Sequence, residues 1–132
     1  YMIRWNLQKL DPNAPLSPPK KPILFWMDNA IPTEYRDAVR NGILMWNKAF
    51  ERIGFKDAVQ VKQMPDNADF DHADMRYNVI RWSPTQNPPY GAVALFRVNP
   101  LTGEIVNAGI TVDATLTRGG KFELRRWVDP AT

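Results

Sequence analysis

Between residues 33 and 53, apolar side chains return at Tyr35, Val39, Ile43, Trp46, Phe50 and Ile53, at spacings of four, four, three, four and three. This rhythm keeps all six on one face of an α-helix. Pro32 and Thr33 supply start signals, and Glu34 and Asp37 place negative charge near the first turn. Gly54 followed by apolar Phe55 has the form of a Schellman stop. The pattern predicts one long helix over 33–53.

On both sides of that helix the rhythm changes. Residues 22–27, Pro-Ile-Leu-Phe-Trp-Met, are continuously apolar and of strand length, as expected of a strand covered on both faces near a sheet centre. Residues 58–63 alternate Val59 and Val61 with polar neighbours and predict a strand exposed on one side. A strand, a helix and a strand in that order make a right-handed crossover. Residues 75–82, 91–98 and 103–112 are again β-prone and predict three more strands. The last two are joined by 99–103, Asn-Pro-Leu-Thr-Gly, a turn ending in glycine that suits an antiparallel hairpin. Near the start, Ile3, Trp5 and Leu7 alternate with polar residues and fit a further short strand.

The connections read differently. Pro12, Pro15, Pro18, Pro19 and Pro22 fall in one stretch that can be neither helix nor central strand, so 1–21 reads as an extended entry segment and 22–132 as the domain. Residues 64–74 hold Pro65, Asn67 and four aspartates and form a loop, and Pro84, Pro88 and Pro89 mark another. The tail, with Gly119-Gly120 ahead of Phe122, Leu124 and Trp127, is not assigned to an element.

Composition narrows the chemistry. A chain of 132 residues, 44% hydrophobic and 23% charged, has the material for one folded domain with a core. No window approaches the roughly 18 consecutive apolar residues of a membrane span. The chain opens on Tyr1, without the layout of a secretory signal, and reads as an excised part of a longer protein. With no cysteine, thiol chemistry and thiolate metal sites are excluded, and with His72 alone, so is a site of two or three histidines within the chain. A net charge of +3 gives no nucleic-acid footprint.

Several constellations have a plain structural reading. Asp66, Asp69, Asp71 and Asp74 beside His72 offer carboxylates for calcium, but the one-three-five spacing of an EF-hand fails at Ala73, which leaves a solvated loop with Asx turns. Ser17 and Ser83 are the only serines and neither sits in a nucleophile motif. The basic and aromatic tail, Arg118, Lys121, Phe122, Arg125, Arg126 and Trp127, reads as an edge segment with rings on the core and charges in water rather than as a nucleic-acid surface. Trp26, Trp46 and Trp82 sit at positions expected to pack.

Taken as an ordered series, 22–32 (Pro-Ile-Leu-Phe-Trp-Met-Asp-Asn-Ala-Ile-Pro), the helix with Trp46-Asn47-Lys48-Ala49-Phe50, and 73–82 (Ala-Asp-Met-Arg-Tyr-Asn-Val-Ile-Arg-Trp) resemble the metzincin zinc metalloproteases. The series is most similar to the large bacterial zinc-dependent metalloproteases of the DUF5117 and DUF4953 type, where a phrase like 99–105 leads towards the zinc helix. The resemblance covers about residues 3 to 113. It implies an α/β fold, the N-terminal subdomain of a zincin: a twisted, mixed five-stranded sheet with one antiparallel edge strand and a long backing helix. It also implies an edge strand that pairs with an extended peptide substrate. The matching positions are Gly91, Ala92, Val93, Ala94 and Leu95, whose small side chains would let a peptide backbone approach. The zinc motif, H-E-x-x-H-x-x-G-x-x-H, is not in this chain. The expectation is a secreted or periplasmic zinc metallopeptidase whose metal ligands lie outside these residues. The 132-residue piece would then be inactive, without catalytic residues or zinc of its own. Its partners would be an extended peptide, not nucleic acid or membrane, with self-association through an exposed apolar face. A non-catalytic peptide-binding module on the same scaffold is the alternative.

Overall fold

The computed structural model describes residues 2–85 and 91–128, and of residues 122–128 the backbone alone. Five strands form one sheet: β1 (Ile23–Met27), β2 (Val59–Gln63), β3 (Asn78–Ser83), β4 (Ala92–Val98) and β5 (Ile105–Asp113). Their order across the sheet is β2-β1-β3-β5-β4. β1 runs parallel to β2 and β3, and β3 parallel to β5, while β4 alone is antiparallel and lies at an edge. The mixed α/β sheet with one antiparallel edge strand is therefore present. All five strands fall where the hydrophobic pattern places them, to within three residues at each end.

Alternation along the strands divides the sheet into two faces. Ile23, Phe25 and Met27 of β1, Val59 of β2, and Ile80 and Trp82 of β3 are buried, and Ala108, Ile110 and Val112 of β5 pack against them. Tyr35, Val39, Ile43 and Phe50 cover this face from the helical layer. Full burial of side chains such as Met27 and Ile80 removes apolar area from water, at about 1.5–3 kcal/mol each. The alternate residues of β1, Leu24 and Trp26, are only half-buried, so β1 is inner but not equally covered on both faces. The centre of the sheet is β3.

The helical layer departs from the single helix of 33–53. It is two helices, α1 (Thr33–Leu44) and α2 (Asn47–Arg52). Met45 and Trp46 keep right-handed helical angles, but Trp46 N–H donates to the Ile43 carbonyl (3.2 Å), Lys48 N–H to Met45 (3.2 Å) and Ala49 N–H to Trp46 (2.9 Å). These three-residue steps advance the chain at a tighter pitch than an α-helix and shift the phase of every later side chain. Trp46 and Ile53, which an unbroken helix would point inward, are 63% and 65% exposed. Phe50 stays against the core.

The break has a visible anchor. The Asn47 side-chain amide accepts from Val59 N–H (2.8 Å) and donates to the Val59 carbonyl (3.0 Å), matching the outer edge of β2 as a strand would. The expected stop at Gly54 is present. Phe55 N–H donates to Phe50 O (3.0 Å) and Gly54 N–H to Glu51 O (3.0 Å), with Gly54 at φ 90°, the Schellman arrangement.

Residues 2–21 lie along the domain. The alternation at 3–7 produces no strand, only a bridge in which Arg4 N–H donates to Gly103 O (3.0 Å) and Ile105 N–H donates to Arg4 O (2.8 Å). Side-chain burial rather than strand pairing sets the alternation there: Trp5 and Leu7 pack against the core. Ser17 is buried between Gly54 O and Lys56 N–H. At the other end the tail forms α3 (Ala114–Val128) directly after β5, despite Gly119 and Gly120, each of which costs a helix about 1 kcal/mol relative to alanine. Among the described residues no helix is long and apolar enough to cross a membrane.

Candidate functional site

β4 carries an unusual exposure for an apolar strand. Its sequence is Ala-Val-Ala-Leu-Phe-Arg-Val, and among the described residues it pairs with β5 alone. Leu95 is 71% and Phe96 54% exposed, and adjacent strand residues point to opposite faces, so both sides of the edge present apolar surface. Long, apolar, unpaired edges are what a second extended chain pairs with.

The hydrogen-bond phase says which groups are available. Asp113 N–H donates to the Gly91 carbonyl (2.8 Å), which makes 91 and 113 a bonded pair. The register pairs Val93 with Thr111 and Leu95 with Gly109 in the same phase. Antiparallel pairs alternate between bonded and non-bonded, so the N–H and C=O groups of Ala92, Ala94 and Phe96 face away from β5. The site positions expected from the resemblance thus divide. Gly91 lies just before β4 with its carbonyl already engaged, Val93 and Leu95 use their backbone on β5, and Ala92 and Ala94 face the open edge. Phe96 completes that row. Strand alternation carried two residues further along the sequence selects it.

Two contacts brace the edge. Arg97 donates from Nη1 to Asn107 Oδ1 (2.8 Å), tying β4 to β5 on one face. A Cβ added to Gly91 would lie 2.9 Å from Leu116 Cδ1, so the start of β4 is covered closely by α3. Asp113 opens α3: its Oδ1 accepts from the N–H and from the hydroxyl of Thr115, both at 2.8 Å, the role of an N-cap. Burial alone would raise the Asp113 carboxyl pKa, but the hydrogen bonds of Thr115 and then Thr85 outweigh it and hold it below the ordinary value. Lys121 reaches back to α1, over the Tyr35 ring (5.2 Å) and towards Glu34 (3.6 Å). The tail is therefore helical rather than an edge segment, and the expectations for Phe122, Arg125, Arg126 and Trp127 concern side chains outside the described residues.

The other constellations resolve into structure. Asp71 Oδ1 accepts from Ala73 N–H (2.7 Å) and Asp74 Oδ1 from Arg76 N–H (3.0 Å), the Asx turns expected of the acidic loop. Hydrogen bonding from Arg76 holds the Asp74 pKa down, and the Asp74 carboxylate raises that of Arg76. Asp66 accepts from the Asn29 amide. Of the three tryptophans expected to pack, Trp82 is buried and stacks with Tyr35 (5.7 Å), Trp26 meets Phe70 edge-on (5.5 Å) on the opposite face, and Trp46 is exposed. The phase shift at Met45 removes Trp46 from the core.

The described residues bring no three histidine, aspartate or glutamate side chains together as a metal site. A ligand set of three histidines cannot be drawn from a chain whose single histidine is His72. No protein-family model, curated protein or solved structure matches the chain.

Proposed function

We propose that this chain forms the substrate-edge half of a metzincin-like zinc metallopeptidase domain, with β4 as the strand on which an extended peptide is laid. The single observation that carries the reading is the antiparallel β4 at the sheet edge, where among the described residues the outward backbone groups of Ala92, Ala94 and Phe96 have no strand partner. A mixed five-stranded sheet with one antiparallel edge strand is also what the sequence resemblance implies, and this supports the reading. On this reading the zinc ligands come from residues outside the chain, in a secreted or periplasmic protein, and the 132 residues alone bind peptide without cleaving it. A non-catalytic peptide-binding module is the alternative and rests on the same edge. The gene sequence beyond Thr132 separates the two, since only the peptidase reading requires H-E-x-x-H-x-x-G-x-x-H there.

The edge itself is tested by proline. In Ala94→Pro the lost N–H faces outward and the ladder to β5 is spared, whereas in Leu95→Pro the lost N–H is a ladder donor. With reduced, carboxymethylated α-lactalbumin as an unfolded-chain probe, Ala94→Pro is expected to abolish binding with the circular dichroism unchanged. Leu95→Pro is expected to unfold the β4–β5 hairpin. Undiminished binding by a folded Ala94→Pro chain, or zinc-dependent peptidase activity of the 132 residues removed by chelator, would overturn the reading.

A further inference from the structure

Away from β4, the sheet and the helical layer leave a space between them. A cavity of about 300 Å³ lies there, floored by Ile23 and Val59 of β1 and β2 and by Ile110 of β5, and walled by Ile43 of α1 and Phe50 of α2. Trp46 stands at the helix break on its rim. Its lining is hydrophobic throughout, with the indole N–H groups of Trp5 and Trp46 as the only side-chain polar atoms among the lining residues. We propose that this cavity is a binding site for a neutral, apolar small molecule of roughly two fused rings, about twice the space in which an engineered apolar cavity holds benzene.

Three observations converge on that ligand class. First, an ordered water needs two to four polar partners, and the lining side chains offer indole N–H donors alone, with no side-chain acceptor, so the surface favours an apolar guest over water. Second, a charged guest would be stripped of water with nothing to pair with, which confines the class to neutral molecules. Third, the cavity lies beside the one place where the helical layer departs from regular pitch. Trp46, 63% exposed, stands there with its ring on the cavity, so the hydrophobic lining reaches the surface at the helix break. A filled cavity restores the dispersion contacts that its lining otherwise lacks. The site shares no residue with β4 and does not rest on the peptide-edge reading.

The test uses the 132-residue chain and N-phenyl-1-naphthylamine, a neutral two-ring fluorophore with one further phenyl group, together with naphthalene itself. Saturable one-to-one binding is expected, with energy transfer from tryptophan to the fluorophore. In methyl-labelled protein, naphthalene is expected to shift the resonances of Ile23, Ile43, Val59 and Ile110 and to leave Leu101 and Leu95 in place. The double substitution Ile43→Phe/Ile110→Phe fills the cavity and is expected to weaken binding by about tenfold or more, while Leu101→Phe binds as the parent does. Non-saturable binding, or methyl shifts confined to Leu95, Leu101 and other surface residues, would overturn the proposal. The methyl map of the unsubstituted chain decides the matter even if the filled variant does not fold.

Discussion

Replacing Asn47 with alanine tests how β2 is held at its open edge. Val59 is almost fully buried, and its N–H and C=O point away from β1, because Ile23 N–H is bonded to the neighbouring Ala58 carbonyl. Both Val59 groups are answered by the Asn47 amide, at 2.8 and 3.0 Å. Removing it leaves one donor and one acceptor unpaired, each costing about 1–3 kcal/mol when buried. With partial access of water at this edge, the expected loss is about 2–4 kcal/mol. For a chain of this size each kcal/mol moves Tm by about 3–5 °C, so Tm should fall by roughly 6–20 °C. Urea unfolding followed by tryptophan emission gives the same quantity, with an unchanged slope if only stability has altered. Asn47→Asp sharpens the test. Its carboxylate still accepts from Val59 N–H but places negative charge against the Val59 carbonyl, which raises its folded-state pKa above about 3.9. The folded state then binds the extra proton between the two values, so the deficit relative to the parent grows as pH rises and shrinks in acid. A loss for Asn47→Ala within about 0.5 kcal/mol, the level of an ordinary surface change, would refute the strand-mimic role.

Glycine substitutions should act with opposite signs at two positions. Gly42→Ala in α1 meets nothing within 4 Å and should stabilise by about 0.5–1 kcal/mol in urea unfolding. Gly54→Ala, at φ 90° with its Cβ 2.9 Å from the Pro15 carbonyl, should destabilise by more than about 1 kcal/mol. Asp113, with its folded pKa below the ordinary carboxyl value, contributes stability that is present above about pH 4 and lost as pH falls through the lower folded value. The Thr115 amide resonance should therefore titrate below about pH 4 in the parent and not at all in Asp113→Asn, and a midpoint at or above the ordinary value would refute the N-cap role.

The sheet was legible because its signals are local. Alternation in β2, the unbroken apolar run of β1 and the Asn99–Gly103 turn each act over a few residues, and the turn closes as expected through Gly103 N–H to Asn99 O (2.8 Å). The helical layer was half legible. Its apolar rhythm continues through Met45 and Trp46, and nothing in that rhythm records that Asn47 is pinned to a strand twelve residues later. α3 was hidden by Gly119-Gly120, whose low propensity is outweighed by the Asp113 cap and the packing of its first turn. At the candidate edge, the small residues of β4 were visible in the sequence. Which of them face outward was not, because that depends on the pairing phase with β5, set by residues far along the chain.

The bridge between Arg4 and the Gly103–Ile105 segment joins stretches about a hundred residues apart, and this sets an order of assembly. The entry segment is synthesised well before the β4–β5 hairpin that supplies the partner of Arg4. Closing so long a loop carries an entropic cost, and contacts of such sequence separation form late. The entry segment accordingly docks in two stages. Ser17 settles first against Gly54 and Lys56, once the turn after α2 exists, and Arg4 follows when β4 and β5 have paired. Until then Trp5 and Leu7 can cover only the part of the sheet built from β1, β2 and β3, and the backbone of Arg4 stays in water.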